Sequence, residues 1–250
     1  MILNILGLWY FIIVCRICWE ESKVGWPIMI YHRLIPYVVT HLILSTIQLV
    51  YLIPLYIIGN SYIMKHVGYN FSLCIWLFWG KIEWDGLEHI SDKPCIWIGN
   101  HQSIIDMGIV TLLPCRTPLI GTSKSSIKYV PAAGIIALMC NTILIDRKSR
   151  RCADDFLLDS IRFLKNGHSI NIFPQGTRKY GYPPKPFKYG AFNLSSITKT
   201  PILPYKITYN IGKGIRVQIY KLIEVEGFTS KELLTRVYNN IYFSSTENNY

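Results

Sequence analysis

A histidine and an aspartate five positions apart are the residues of this sequence best placed to do chemistry. They lie in IWIGNHQSIIDMG, residues 96–108, where apolar residues 95–98 indicate a buried strand and the residues after His101 a helix. In a continuous helix, positions i and i+5 point about 140° apart. The two side chains can therefore meet only if His101 lies in the turn and Asp106 in the helix.

This pair would suit general base catalysis, because a carboxylate can hold one ring nitrogen while the other nitrogen faces a substrate. The alternative is that Asp106 caps a helix and His101 is an ordinary surface residue. A metal site is not predicted, because no second His or Cys lies nearby at ligand spacing.

The distribution of charge divides the chain of 250 residues into two parts. Residues 1–90 hold five basic and five acidic residues, whereas residues 91–250 hold 21 and 10, which accounts for the whole net charge of +11. An apolar, neutral first part and a basic second part indicate membrane attachment followed by a domain that binds anions. Nucleic acid is not the predicted anion, because no zinc-finger, basic-helix or RNA-recognition pattern is present.

The seven cysteines are scattered and odd in number, so no disulfide framework is predicted and a reducing compartment is expected. Cys15 and Cys18 form a single C-x-x-C within an apolar run. A second such pair would be needed for a zinc site of this type. We therefore interpret both as small residues that are buried or face lipid.

Three apolar segments precede residue 81. Residues 2–15 predict an interfacial anchor and lack the features of a cleaved signal peptide. Residues 34–59 contain no Asp, Glu, Lys or Arg over 26 positions, although Pro54 lies among them. They could form one kinked span or a helical hairpin within one leaflet whose flanks are both cytosolic, and we favour the hairpin. Residues 72–80 predict a short interfacial or core element.

From residue 81 onward, strand patterns alternate with helix patterns, which predicts an α/β domain with a largely parallel sheet. Residues 82–90 alternate like an edge strand, and residues 154–167 and 231–243 have helical periodicity. Further strands are predicted at 142–147, 201–207 and 215–225, and residues 169–181 predict a strand that runs into a turn. The predicted division is therefore a membrane-anchoring helical region, 1–80, and an α/β domain, 81–250.

Four short motifs fall at predicted strand ends, where open α/β sheets bind their ligands. They are N-H-x4-D (Asn100, His101, Asp106), I-D-R (Ile145, Asp146, Arg147), F-P-Q-G-T-R (residues 173–178) and P-I-L-P (residues 201–204). Lys124 lies in a basic loop between the first two motifs, and Lys188 and Gly190 follow the third. In order and spacing, residues 81 to about 210 resemble the glycerolipid acyltransferase family, and most closely its bacterial lysophosphatidate acyltransferases of the PlsC type.

The resemblance implies a glycerol-phosphate acyltransferase-like fold, a mixed and largely parallel sheet flanked by helices, and makes residues 81–250 the catalytic domain. The implied reaction moves a fatty acyl group from acyl-CoA or acyl-ACP to the sn-2 hydroxyl of 1-acyl-sn-glycerol-3-phosphate, giving phosphatidate. In that reaction His101 would be the general base and Asp106 would fix its tautomer. Ser103 would start the helix and not carry the acyl group, and no cofactor beyond the thioester co-substrate is implied.

The resemblance also implies how the acceptor's phosphate is bound. Arg178 would bind its oxygens together with the backbone at Gly176 and Thr177, and Lys124 and Arg147 are further candidates. The remaining motif residues would shape the turns and the pocket: Asn100, Phe173, Pro174, Gln175, Pro201 and Pro204.

Two positions depart from the family pattern. Gln175 stands where the family usually has Glu, which keeps an oxygen acceptor but removes a charge. Asn141 stands where Gly often precedes the second motif, and Asn tolerates the left-handed conformation.

Two alternatives stay open: a different acceptor, either glycerol-3-phosphate or another lysolipid, and an inactive membrane protein that binds lipid. The expected partners are lysophosphatidate, the acyl thioester, membrane lipids and, for an acyl-ACP donor, acyl carrier protein; nucleic acid is not expected. The expected location is a membrane with the active site on its cytosolic side, which in a bacterium would be the inner membrane.

Overall fold

The structure, a computed structural model, describes residues 12, 14–19, 21–24, 31–59, 63–130, 132–146, 151–210 and 213–243. In these residues the named helices are α1 (Tyr31–Ile57), α2 (Ile63–Trp79), α3 (Ile105–Leu112), α4 (Ala133–Met139), α5 (Cys152–Lys165), α6 (Gly190–Thr198) and α7 (Ser230–Tyr242). The strands are β1 (Ile82–Asp85), β2 (Ile96–Gly99), β3 (Leu119–Ile120), β4 (Thr122–Lys124), β5 (Ile143–Ile145), β6 (Ser169–Ile172), β7 (Ile202–Asn210) and β8 (Gly214–Ile219). Residues 14–19 and 21–22 are also helical.

Six strands form one mixed sheet in the order β1-β8-β7-β2-β6-β3. Its pairs are parallel except for β7 and β8, which are antiparallel. β4 and β5 form a separate parallel pair. The predicted mixed, largely parallel α/β sheet is confirmed, and β1 lies at its edge as the alternation of residues 82–90 predicts.

The central strand β2 shows how the sheet divides the core. Ile96 and Ile98 pack with the residues of α5, α6 and α7, whereas Trp97 between them packs with α1, α2 and α3. All three side chains are at most 1% exposed, as expected for a strand covered on both faces. The sheet is therefore the middle layer of three, and its central strand carries the chain directly into the N-H-x4-D turn.

Helices α1 and α2 form an antiparallel hairpin. A buried amide, Asn70 on α2, donates to the hydroxyl of Ser45 and to the side-chain oxygen of Gln48, both at 3.2 Å. Gln48 in turn donates to the carbonyl of His66 at 2.6 Å. These hydrogen bonds satisfy polar groups that would otherwise destabilise an apolar hairpin. The favoured interpretation, in which residues 34–59 alone form a hairpin, is wrong, because residues 34–57 lie in the single continuous helix α1. The hairpin is formed by α1 together with α2, which contains residues 72–79.

The outer face of the hairpin remains apolar. Among the described residues, α1 is the one helix long and apolar enough to cross a membrane. A row of its exposed side chains recurs every three or four positions, and each is more than a third exposed: Ile35, Val39, Ile43, Ile47, Val50, Ile53 and Ile57. A stripe of this kind fits contact with lipid. The predicted anchor at residues 2–15 falls mostly outside the described residues.

Some elements differ from the sequence-based expectation. The strand predicted at 215–225 ends at Ile219, and Ile223 returns only as a single bridge to Ile202. α6 was not predicted, because its nine residues show little amphipathic periodicity. The strand predicted at 142–147 is present as β5, but it pairs with β4 and not with the main sheet.

Candidate active site

The side chains of His101 and Asp106 meet as the spacing requires. His101 lies in the turn after β2, Asp106 lies in the first turn of α3, and their Nδ1 and Oδ2 atoms are 2.8 Å apart. Asp106 is completely buried, whereas the imidazole keeps 15% of its surface exposed. Because the carboxylate binds Nδ1, the nitrogen that can accept a proton from a substrate is Nε2.

Asp106 is surrounded by hydrogen-bond donors. Its Oδ2 accepts the backbone N–H groups of Gln102 at 2.6 Å and Ser103 at 2.9 Å, and its Oδ1 accepts the hydroxyl of Tyr209. Burial, and after it the charge of Asp106, raises the pKa of Tyr209 well above its usual value, so the phenol stays protonated and donates. The buried charge is thus stabilised by donors from a turn and from a strand.

Tyr209 is a site residue that the sequence analysis missed. Positions 203, 205, 207 and 209 alternate along β7, and all four pack in the core between the sheet and α1–α3. This two-residue period was visible in the sequence and would have placed Tyr209 on the side of α3. The identity of its partner depends on a long-range contact that local patterns do not reveal.

Three local features hold the His101 turn. Position 99 accommodates only glycine, because a Cβ atom there would lie 2.3 Å from the ring of Tyr205. Asn100 pairs with the backbone of Ile207 through both side-chain atoms, at 2.7 and 2.9 Å, which fixes the turn to β7. Ser103 accepts the N–H of Ile105 at 3.3 Å, which agrees with its interpretation as a residue that starts the helix.

The F-P-Q-G-T-R turn follows β6 and supports the imidazole. The ring of Phe173 stacks on that of His101, with centroids 4.2 Å apart and planes 10° from parallel. The side-chain oxygen of Gln175 accepts the backbone N–H of His101 at 2.5 Å, and Lys179 donates its N–H to the carbonyl of His101 at 3.0 Å. Gln175 therefore does its work as a hydrogen-bond acceptor, which an uncharged amide can do as well as a carboxylate.

Gly176 allows the same turn to bend sharply. Its φ of +68° lies in the left-handed region, which residues with a Cβ atom rarely adopt. A Cβ at this position would also lie 3.3 Å from Nζ of Lys188, so the ammonium group lies against the turn. Lys188 is held there by its own N–H, which donates to the carbonyl of Pro174 at 2.9 Å. The turn thus combines accessible backbone with nearby positive charge.

The guanidinium of Arg178 forms an ion pair with Glu21, a residue that the sequence analysis did not predict. Glu21 is completely buried, and its carboxylate also accepts the N–H of Ile104 at 3.2 Å and the hydroxyl of Ser103 at 3.4 Å. Tyr180 donates its N–H to the carbonyl of Val24 at 3.0 Å, which holds this N-terminal segment on the turn. The contacts of Glu21 thus join Arg178 to the start of α3.

Burial raises the pKa of Glu21 to about 7, with a smaller upward contribution from Asp106, while Arg178 opposes the shift. The two buried acids therefore lie close enough to influence each other. No local sequence signal identifies Glu21, which lies 157 positions from Arg178 and follows an apolar run.

The other predicted site residues lie in different places. Pro201 directly precedes β7 and Pro204 lies within it beside β2, and their carbonyls accept the N–H groups of Ile96 and Tyr220, respectively. Thr177 is exposed on the turn, and Lys124 is exposed at the end of β4, on the sheet that does not carry His101. Arg147 lies outside the described residues. Asn141 has a φ of +52°, which lies in the left-handed region that Asn tolerates.

No group of three or more His, Cys, Asp or Glu side chains that could hold a metal ion occurs within the part of the chain that the structure describes. The side chains at the site provide a base, a carboxylate that orients it, and a cation that can bind an anion.

Comparison with known proteins identifies the family. The family model described as Acyltransferase matches residues 81–208, about half of the chain. The chain belongs to the acyltransferase family. It is 30% identical over 191 residues to a protein of Borreliella burgdorferi named 1-acyl-sn-glycerol-3-phosphate acyltransferase, covering 71% of this chain and 75% of that protein. A Saccharomyces cerevisiae protein of the same name is 34% identical over 59% of this chain, which spans about half (53%) of its length.

The fold is also that of a solved member of the family. The 1-acyl-sn-glycerophosphate acyltransferase PlsC of Thermotoga maritima superposes with a TM-score of 0.59 over 80% of this chain and 92% of its own. At 23% sequence identity this likeness concerns the fold alone.

Proposed function

We propose that this acyltransferase moves a fatty acyl group from a thioester donor, acyl-CoA or acyl-ACP, to the sn-2 hydroxyl of 1-acyl-sn-glycerol-3-phosphate, giving phosphatidate for phospholipid synthesis. The observation that carries the proposal is the hydrogen bond between His101 and the buried Asp106, with Arg178 positioned nearby, in a chain of this family. The names of the two relatives point to the same acceptor.

The reaction needs one base and no covalent enzyme intermediate. As the sn-2 oxygen attacks the thioester carbonyl, Nε2 of His101 takes the hydroxyl proton, and Asp106 stabilises the resulting imidazolium through Nδ1–H. When the C–S bond of the tetrahedral intermediate breaks, the imidazolium returns that proton to the leaving sulfur. The products are phosphatidate and a free thiol, and His101 is again neutral. Ser103, completely buried, is not needed as a nucleophile.

Recognition of the acceptor rests on positive charge beside the base. A guanidinium binds a phosphate through two parallel hydrogen bonds, which suits Arg178. The amide groups of the turn at Gly176 and Thr177 and the ammonium of Lys188 would add to this attraction. Lys124 and Arg147 remain predicted contributors.

The apolar face of α1 supports the proposed location. The acceptor carries an acyl chain, so an enzyme that docks on a bilayer meets its substrate there. We propose that the hairpin of α1 and α2 inserts its exposed apolar stripe into one leaflet and leaves the basic α/β domain on the cytosolic side, where the thioester donor is found.

Two rival functions make different predictions. A glycerol-3-phosphate acyltransferase would need the same base and cation, so only the acceptor separates it from the proposed function. An inactive lipid-binding protein would be favoured if Gln175 had lost its contact. Its hydrogen bond to His101 N–H supports an active enzyme.

The direct test is thiol release by the full-length protein purified in detergent. Oleoyl-CoA and oleoyl-ACP are each offered with lysophosphatidate, glycerol-3-phosphate or lysophosphatidylcholine, and the lipid products are separated by chromatography. The proposal predicts thiol release that depends on lysophosphatidate, with phosphatidate as product. Acceptor-dependent release with glycerol-3-phosphate alone would support the first rival. No acceptor-dependent release with any pair would support the second.

A further inference from the structure

The carboxylate of Glu21 occupies a set of donors that matches an anion-binding site. It contacts the guanidinium of Arg178, the N–H of Ile104 at the start of α3, and the hydroxyl of Ser103. Backbone N–H groups at a helix start, together with an arginine, are the groups that proteins use to bind phosphate. A negatively charged group is thus already bound where the acceptor's phosphate is expected.

The surroundings of Glu21 do not favour its charge. A carboxylate in a permanent ion pair usually has a lowered pKa, because the cation stabilises the charged form. At Glu21, burial outweighs the effect of Arg178, and the pKa is raised to about 7. Near neutral pH this residue therefore readily accepts a proton, and separating it from Arg178 costs less than breaking a strongly stabilised pair.

We propose that Arg178, the N–H of Ile104 and the hydroxyl of Ser103 form the subsite for the acceptor's phosphate, and that Glu21 fills this subsite until the phosphate displaces it. The inference rests on the proposed function, because it assigns the binding of the same acceptor. It adds two donors from the unspecified positions of the N-H-x4-D motif, and one competing residue that lies outside the four motifs.

The competition depends on pH through a defined set of groups. Between pH 6 and pH 8 Glu21 passes from mostly protonated to mostly charged, and only the charged form competes with phosphate for Arg178. Among the described residues, the titratable and charged groups that face Glu21 are Arg178 on the F-P-Q-G-T-R turn, Asp106 on α3, Tyr209 on β7, Tyr31 on α1, and Cys18 on its own segment.

The kinetic test compares wild-type enzyme with Glu21→Gln, which keeps the shape of the side chain and removes its charge. At pH 8 we expect the variant to lower KM for lysophosphatidate by about two- to fivefold, the size of one weak ion pair, and to leave kcat within about twofold. At pH 6 the two KM values should converge. Glu226→Gln, which removes an exposed carboxylate outside the site, is the matched control and should behave as wild type.

A KM for lysophosphatidate that does not fall in Glu21→Gln would overturn the proposal. A KM at pH 8 that is unchanged or higher in Glu21→Gln would mean that Glu21 is a fixed structural partner of Arg178. Ser103→Ala gives an independent check, because loss of a phosphate donor should raise KM by about two- to fivefold. An unchanged KM in a folded Ser103→Ala protein would remove Ser103 from the subsite.

A binding measurement separates this inference from the proposed function. Inorganic phosphate is titrated into wild-type protein and Glu21→Gln at pH 8, with thermal unfolding temperature as the readout. The inference predicts stabilisation of the variant at lower phosphate concentration than wild type, whether or not acyl transfer occurs. Equal midpoints for the two proteins would contradict the inference, while a lack of acyl transfer would contradict only the proposed function.

Discussion

Two buried carboxylates face the same site from different regions of the chain, and they are held in opposite ways. Asp106, in the turn after β2, accepts two backbone N–H groups, an imidazole N–H and a phenol. Glu21, in the N-terminal segment, depends on one guanidinium, one N–H at 3.2 Å and one hydroxyl at 3.4 Å. Its pKa is raised to about 7.

Under the proposal above, the site contains one permanent negative charge, on Asp106, and one exchangeable negative charge, on Glu21. The partners of Asp106 come from elements bound to the central sheet, so its carboxylate cannot leave without disrupting the turn. The partners of Glu21 are also the groups that would bind a phosphate. Both carboxylates are buried, so burial alone does not distinguish them. Asp106, which orients the base, has more donors and more rigidly held ones than Glu21, which the substrate's phosphate would displace.

The strongest test of this comparison is to replace each of the two carboxylates by the corresponding amide. Asp106→Asn should lower kcat by about 10²- to 10⁴-fold, because an amide no longer fixes the proton on Nδ1 or stabilises the imidazolium. Glu21→Gln should change kcat by no more than about twofold. The measurement is thiol release at saturating lysophosphatidate, with thermal unfolding as a check of folding. Similar losses of kcat in both variants would show that the two acids do not differ in role.

The cation that both regions share is expected to act on binding more than on chemistry. Arg178→Gln should raise KM for lysophosphatidate by about 10- to 100-fold, the worth of a charge-assisted hydrogen bond pair, with a smaller change in kcat. The matched control is Arg116→Gln, whose guanidinium pairs with Asp92 at 2.7 Å on the surface. A loss confined to kcat would assign Arg178 to the transition state instead of the acceptor's ground state.

The pH dependence of stability sharpens the comparison without any substrate. The pKa of Glu21 is about 7 in the folded protein against an ordinary value of 4.5, so between these pH values the folded state holds a proton that the unfolded chain has lost. Below pH 4.5, Glu21 should therefore make its full contribution to the free energy of unfolding of the wild type, measured relative to Glu21→Gln. This contribution should fall by at most about 3 kcal/mol as pH rises to about 7. Unfolding temperatures of both proteins from pH 5 to pH 8 measure this. A constant difference would mean that Glu21 does not titrate in this range.

The smallest effect is expected at Gln175, where an uncharged amide oxygen accepts the hydrogen bond at a position at which the family usually has Glu. Gln175→Glu should leave kcat/KM within about threefold, because a carboxylate oxygen can accept the N–H of His101 as the amide oxygen does. A change of tenfold or more in either direction would show that charge at this position matters. Thiol release at limiting lysophosphatidate is sufficient to measure it.

Features carried by local patterns were predictable. The turn position of His101, the helical position of Asp106 and the largely parallel sheet followed from apolar periodicity and residue spacing. The stacking of Phe173 on His101 was not predicted, although the motif residues that bring them together were. Local periodicity reports which face of an element is buried, and it carries no information about the element that covers that face.

Features that depend on distant parts of the chain were not predictable. Glu21 reaches Arg178 across 157 positions, and nothing in its neighbourhood distinguishes it from an acid beside a membrane anchor. The pairing of β4 with β5 outside the main sheet depends on tertiary packing in the same way. Tyr209 was the exception, because the alternation along β7 could have indicated the side on which it lies.

The most direct test of the account is the turnover of His101→Ala in full-length protein, with oleoyl-CoA and lysophosphatidate in detergent. His89→Ala, at a partly exposed histidine outside the site, is the matched control. The account predicts that His101→Ala loses at least about 10³-fold in kcat while its unfolding temperature stays close to wild type, and that His89→Ala keeps its activity. A folded His101→Ala protein that still forms phosphatidate at a rate near wild type would contradict the role given to the imidazole.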